Sequence, residues 1–208
     1  DLVLDDSLIS AISFTNIKAF VVTGTGLSCA ESASQLKECA RAARAAGCPV
    51  VLDIDYRAMA WQSAEQAKQV IADFIDVVDL LVGNDDEFNM LAGAVQSSKY
   101  EDGYLLAKKL GTDSCVFLYK KGSKGCEAFS HSGHLEIGIY PVDLCKPFGA
   151  GDAFLGNLLA ALTQTSDWSA AIAAGAAAAA IVVSKTGCAS AMPDKKSVTA
   201  FQNQNQLC

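Results

Sequence analysis

"KPFGAGDAFLGNLLAAL", Lys146 to Leu162, decides how this chain is read. Pro147 resists a helix before it, and Gly149 and Gly151 allow a tight turn with no side chain in the way. From Ala153 onward, Phe154, Leu155, Leu158, Leu159 and Leu162 recur at helical spacing. The glycines therefore stand at a helix N-terminus. First-turn N–H groups there lack intrahelical partners, and the macrodipole adds partial positive charge. Such an entrance suits an anion, and Asp152 stands beside it. Alone, the stretch reads equally well as a turn followed by a favourable N-terminal acid.

Outward from it, strand and helix signals alternate. "AFVVTG" (Ala19–Gly24), "PVVLDID" (Pro49–Asp55), "VDLLVG" (Val78–Gly83) and "SCVFLYK" (Ser114–Lys120) are strand candidates. Between them lie helices at Ser28–Gly47, with Ser28 and Glu31 as a capping box, and at Ser63–Ile75, with Ser63 and Gln66 as its cap. Short helices are expected at Asn84–Gly93 and near Glu101–Leu110. "GCEAFS" and "HLEIGIY" read as antiparallel strands around a turn at Ser132-Gly133. Two long helices follow, near Gly151–Gln164 and Asp167–Lys185. Apolar, non-alternating strands joined by helices imply a mostly parallel sheet covered on both faces. Ligands of such sheets gather at the carboxyl ends of the strands, where Asp53, Asp55, Arg57, Asn84, Glu87, Lys120 and Gly122 fall. "TGTG" (Thr23–Gly26) lacks the third glycine of a dinucleotide fingerprint.

The 208 residues suffice for one sizeable α/β core, and 51% of them are hydrophobic. A net charge of -7 argues against a nucleic-acid or anionic-membrane surface. The most apolar run, Trp168 to Ser184, is mostly alanine and shorter than the roughly 20 residues of a spanning helix. Eight scattered cysteines without a C-x-x-C pair point to a reducing, cytoplasmic setting rather than a disulfide scaffold. His131 and His134 have H-x-x-H spacing but no acidic or Cys companions, which favours surface histidines over a metal site.

"GAGDAF" at Gly149–Phe154, "NDDE" at Asn84–Glu87 and "DIDYR…W" at Asp53–Trp61 occur in order and in fitting sheet contexts. Together they resemble the ribokinase-like (PfkB-type) sugar kinases. The branch most similar is that of the 5-dehydro-2-deoxygluconokinases, with the 2-dehydro-3-deoxygluconokinases next. The resemblance runs from Asp1 to about Pro193. It implies an α/β fold, a three-layer α/β/α sandwich with a mostly parallel central sheet. The kinase core is expected over 1–195, with a frayed polar tail over 196–208. Relatives begin with a further segment, roughly a third of their length, that carries the first strands and a β lid. This chain begins in what resembles the middle of a family member, so those strands and the lid are expected to be missing.

The resemblance implies ATP-dependent phosphorylation of the terminal hydroxyl of a small keto-deoxy sugar acid. The alternatives are a 2-dehydro-3-deoxygluconokinase or other sugar kinase of the same family, or a non-catalytic nucleotide-binding fragment. By resemblance, Asp152 is the base, and the N–H groups around Gly149, Ala150, Gly151 and Asp152 form an anion hole for the γ-phosphate. Asn84 and Glu87 order Mg2+ through water, Arg57 and Lys146 bind substrate, and Lys120, Gly122, Gly125, Gly175, Ala176 and Ala179 contact the nucleotide. Plain explanations stand beside these: a salt bridge for Arg57, a solvated hairpin charge for Lys120, helix packing for Gly175 and its neighbours. Trp61 is more at home in a core than on a sugar. Many relatives carry an Asp six residues before the base that helps hold a monovalent cation. Lys146 stands there in this chain, so activity independent of potassium is expected. Homo-oligomerisation is left open.

Overall fold

Four apolar runs form the parallel part of one sheet: β1 (Phe20–Thr23), β2 (Val50–Asp53), β3 (Leu80–Asn84) and β4 (Val116–Lys120). In the computed structural model, residues 9, 11–92, 103–104, 106–108 and 115–208 are described. Two further strands, β5 (Cys126–Ser130) and β6 (Gly133–Ile137), complete the order β1-β2-β3-β4-β5-β6. Only His131 and Ser132 join β5 to β6, a connection too short for anything but an antiparallel return. Of the helix expected near Glu101–Leu110, residues 103–104 and 106–108 are described and are helical; Ser114 and the rest of that stretch lie outside the described residues.

The chain divides into two compact units, Asp1–Lys121 with Glu127–His134, and Gly122–Cys126 with Leu135–Cys208. In the first, α1 (Ala30–Ala45) connects β1 to β2, α2 (Ala64–Ile75) connects β2 to β3, and α3 (Asp85–Leu91) follows β3. Val50, Leu52, Ile54, Phe117 and Tyr119 share one hydrophobic cluster with Ala40, Ala43, Ala67, Ile71, Phe74 and Phe88. Residues of opposite parity, Val51, Leu80, Val82 and Leu118, are buried as well. Burial on both faces is why these strands read as continuous apolar runs. Trp61 belongs to the same cluster, a core residue as expected.

Local details correct the sequence reading. α1 begins one residue after its N-cap, Cys29, with no side-chain cap, so the expected Ser28–Glu31 box is absent. Ser28 Oγ instead donates to Thr25 O at 2.8 Å, closing a 3-10 turn over Gly24–Leu27. That turn presses Gly24 against the Ile54 carbonyl, where no Cβ would fit. The "TGTG" glycine therefore serves packing. β2 ends at Asp53, two residues short of the expected Asp55.

In the second unit, α4 (Ala150–Leu162) and α5 (Trp168–Val183) lie in close contact. At Gly175 a Cβ would stand 2.8 Å from the Phe154 carbonyl oxygen and 3.1 Å from its ring. Small residues along α5 allow that approach. The tail is ordered, contrary to expectation: α6 (Lys195–Gln204) starts at Asp194, whose side chain accepts from Ser197 N. Val198 is buried, and Phe201 meets Tyr140 edge-on at 5.5 Å. Cys208 and Ile139 exchange backbone hydrogen bonds of 2.9 and 3.0 Å. Val198 and Phe201, three residues apart, give an apolar stripe that the surrounding Gln and Asn residues hide. None of the eight cysteines is in a disulfide, and no described helix is long and apolar enough to cross a membrane.

Candidate active site

The expected residues fall into two clusters, one in each unit. In the second unit, Gly149 is the N-cap of α4 with φ 85°. That left-handed conformation is one a side chain disfavours. It reverses the chain so that Ala150, Gly151 and Asp152 form the first turn. Asp152 is exposed, and its carboxylate has no hydrogen-bond or ion-pair partner among the described residues. The entrance thus presents backbone N–H groups and an uncommitted carboxylate together. Lys146 behaves differently: its Nζ donates to the Phe148 carbonyl at 2.8 Å and lies 3.5 Å from Cys188 Sγ.

The same unit holds the glycines of the β4–β5 connection. Gly122 has φ 57° with nothing within 4 Å of a Cβ, whereas Gly125 has φ 83° and backs onto the Ile137 carbonyl. Gly125 is therefore required by a close approach whatever else it does. Gly175 faces Phe154, a packing role, while Ala176 and Ala179 are half-buried.

In the first unit, register gathers the second cluster. Thr23 pairs with Asp53 and Asn84 with Lys120, so the carboxyl ends of β1 to β4 lie together. Asn84 caps α3: its side chain accepts from Glu87 N at 3.0 Å, and Glu87 Oε2 accepts from Asn84 N at 2.7 Å. This is a reciprocal capping box. Glu87 Oε1 accepts a further bond, 3.2 Å, from Tyr56 N in the loop after β2. Glu87 is only 8% exposed, and burial pushes its carboxyl above the usual range against the pull of nearby Lys120. Lys120 Nζ lies 3.5 Å from Asp53 Oδ1, reaching across β3.

Arg57 is exposed and paired with Asp55 at 2.7 Å, the salt bridge that stood as its plain explanation. Asp55 itself is strained, a non-glycine residue at φ 33°. The Thr25 hydroxyl holds it, 2.9 Å from Oδ2.

A third constellation was not foreseen. Glu127, buried on β5, accepts from Lys121 Nζ at 2.6 Å and from Tyr104 OH at 3.1 Å, and lies 2.7 Å from His134 Nε2. The His134 ring stacks on Phe129 at 4.8 Å. A glutamate amid the apolar run of "GCEAFS" was the available signal, since a buried charge needs partners.

A family model described as "pfkB family carbohydrate kinase" matches residues 3–195. The chain belongs to the pfkB family of carbohydrate kinases. This pfkB-family chain is 32% identical over 202 residues to a 5-dehydro-2-deoxygluconokinase of Photobacterium profundum, covering 97% of the chain and 61% of the relative. To one of Lacticaseibacillus casei it is 29% identical, with the same coverage. It thus spans less than two thirds of the curated relatives it matches.

Among solved structures, it superposes with a TM-score of 0.82 and 22% identity on a fructokinase double mutant from Vibrio cholerae O395 in fructose, ADP and potassium ion bound form, over 97% of this chain and 64% of that one. With aminoimidazole riboside kinase from Salmonella enterica, complexed with aminoimidazole riboside and ATP analog, the TM-score is 0.80 at 23% identity, over 93% of this chain and 65% of that one. The pfkB-family chain therefore has the ribokinase-like α/β fold that its motifs implied.

The donor set constrains how a magnesium ion fits. Asn84 Oδ1 and both Glu87 oxygens already accept backbone N–H groups, and no three His, Cys, Asp or Glu residues gather for a metal among the described residues. These residues suit an ion that keeps its water shell, as Mg2+ does, and not a bare ion clasped by several carboxylates.

Proposed function

We propose that the protein transfers the γ-phosphoryl group of ATP to the terminal hydroxyl of a small keto-deoxy sugar acid. 5-Dehydro-2-deoxygluconate is the preferred acceptor. The observation that carries this reading is the exposed, unpartnered carboxylate of Asp152 in the first turn behind the left-handed Gly149 cap. The acceptor oxygen bonds to the γ-phosphorus, the bond from that phosphorus to the bridging oxygen breaks, and ADP leaves. The hydroxyl proton passes to Asp152. In a loose transition state the hydroxyl turns acidic late, so the position of Asp152 matters more than its basicity. Backbone N–H groups of Gly149, Ala150 and Gly151 stabilise the charge on the phosphoryl oxygens. Asn84 and Glu87 would hold Mg2+ through water, and the ion would supply charge neutralisation on the triphosphate.

Arg57 offers a planar fork to the acceptor's carboxylate, released for it by exchanging Asp55. The choice of acceptor is supported by the names of the two curated relatives, at 32% and 29% identity. A coupled ADP-release assay of the full-length protein over a panel of acceptors tests it. Fastest turnover on 5-dehydro-2-deoxygluconate is expected. Faster turnover on 2-dehydro-3-deoxygluconate or a neutral sugar would reassign the acceptor. Calorimetric binding of Mg·ATP without turnover on any acceptor would overturn the kinase reading.

A further inference from the structure

Lys146 precedes the α4 entrance, yet its ammonium is turned back onto its own backbone. Its main chain is fixed from behind, because Cys145 N and Lys146 N both donate to the Val183 carbonyl, at 2.8 and 3.1 Å. Its Nζ then donates to the carbonyl of Phe148 at 2.8 Å, while the Phe148 side chain is 71% exposed. That carbonyl shares one peptide with the N–H of Gly149. In a trans peptide the two groups point in opposite directions, and no described peptide is cis.

We propose that Lys146 is a positioning residue for phosphoryl transfer: by holding the Phe148 carbonyl, its ammonium turns the Gly149 N–H the other way, toward a phosphate oxygen at the α4 entrance. The inference rests on the kinase reading above. Three features converge on it. The φ of 85° at Gly149 fixes the far side of the peptide. Met192 Cε and Val182 Cγ1, each 3.4 Å from where a Cβ would stand, close the space behind it. A charge-assisted bond to the carbonyl also polarises the peptide, which makes its N–H a stronger donor. Of the three ammonium donors, one is taken by Phe148, and Cys188 Sγ lies 3.5 Å away. Lys146 thus acts on the reaction through the peptide rather than by gripping the acceptor.

The test uses Lys146→Met, which keeps the stem and removes the charge, in the full-length protein. Removing one oxyanion-hole donor outright lowers turnover about 100- to 1000-fold, so disorienting one is expected to lower kcat about 10- to 100-fold. KM for both substrates should change far less. Ammonium or methylammonium ions should restore part of kcat in Lys146→Met and leave wild type and Asp152→Asn unmoved. Unchanged kcat, or a loss confined to acceptor KM, overturns the proposal. A second measurement needs no turnover: the amide 15N–1H resonance of Gly149 should shift in Lys146→Met, return with ammonium ions, and stay put in a Lys185→Met control. An unmoved Gly149 resonance overturns the proposal even if activity falls. A shifted and ion-restored resonance in a protein inert on every acceptor upholds the placement of the peptide and condemns the kinase reading instead.

Discussion

Glu87 and Asp152 hold the same slot, the third residue of a helix, and are used in opposite ways. Glu87 follows an extended Asn84 cap, and its longer side chain bends back to bond Asn84 N at 2.7 Å. Buried, it spends its other oxygen on Tyr56 N. Asp152 follows a left-handed glycine that offers no side-chain cap, and it is one methylene shorter. Its carboxylate stays outside. Side-chain length and the cap residue together decide whether an acid at this position stabilises its helix or remains available to a ligand.

The largest effect should come from the free member of the pair. Asp152→Asn keeps shape and removes the proton acceptor, and a positioned general base is worth about 100- to 10,000-fold in rate. Turnover in the coupled assay should fall by that order while Mg·ATP affinity by calorimetry stays within a few-fold. Full activity in this variant would remove Asp152 as the base. Asp152→Glu sharpens the comparison, since the added methylene lets the carboxylate fold back as Glu87 does. That variant should also lose turnover, yet unfold at a slightly higher urea midpoint than Asp152→Asn.

Glu87→Ala comes next, and its loss is in stability. It leaves two backbone N–H groups, on Asn84 and Tyr56, without their acceptor. Each unsatisfied buried donor costs about 1–3 kcal/mol, so a loss of about 3 kcal/mol is expected in urea unfolding. Glu87→Gln removes the titration and keeps one of the two acceptors, its NH2 facing the other backbone N–H. Burial raises the folded-state pKa of Glu87, so the folded protein holds this proton more tightly than the unfolded chain. The group's contribution is fully present below the unfolded value of about 4.3 and declines as pH rises through the folded pKa. Wild type should therefore lose stability relative to Glu87→Gln across that rise. A pH-independent difference would show that the buried carboxylate carries no such penalty.

How far the sequence reveals such distinctions depends on how local they are. The sheet was legible because four apolar runs carry their own signal, and Ser63, Asn84 and Asp167 each announce a helix by capping it. Ser28 misled because its hydroxyl closes the preceding 3-10 turn, and a turn and a cap look alike in a string of small residues. The Lys146 bond to Phe148 depends on a backbone reversal that spacing does not encode. Glu127 finds Tyr104 and His134 only through tertiary folding. The C-terminal helix was masked by its polar composition.

Gly175 probes the same trade-off between packing and ligand on α5. A Cβ there meets the Phe154 carbonyl at 2.8 Å, a backbone atom that cannot swing aside. Gly175→Val should separate α4 from α5 at a cost of about 1–3 kcal/mol, the usual range for overpacking. Turnover should fall only in step with the folded fraction if Gly175 serves packing. A raised KM for ATP in protein shown to be fully folded by circular dichroism would return it to the nucleotide site.

The smallest effect pits Glu87 against a third acid, Glu127. Burial pushes the Glu127 carboxyl up as well, but hydrogen bonds from Lys121, His134 and Tyr104 outweigh it and hold the group below the usual carboxylate range. The sign is the reverse of that for Glu87. The unfolded chain binds the Glu127 proton more tightly, so its stabilisation is present above the unfolded pKa of about 4.3 and disappears as pH falls through the folded value. Urea midpoints of wild type and Glu127→Gln, taken from neutral pH down into the acid range, should converge at the acid end. Lines that stay parallel would mean that the cluster acts through shape and hydrogen bonding alone. Burial alone, then, does not set the direction in which a carboxylate responds to acid. Burial outweighs the pull of Lys120 and of two backbone N–H groups and leaves Glu87 above its ordinary pKa, whereas hydrogen bonds from an ammonium, an imidazole and a phenol take Glu127 below it.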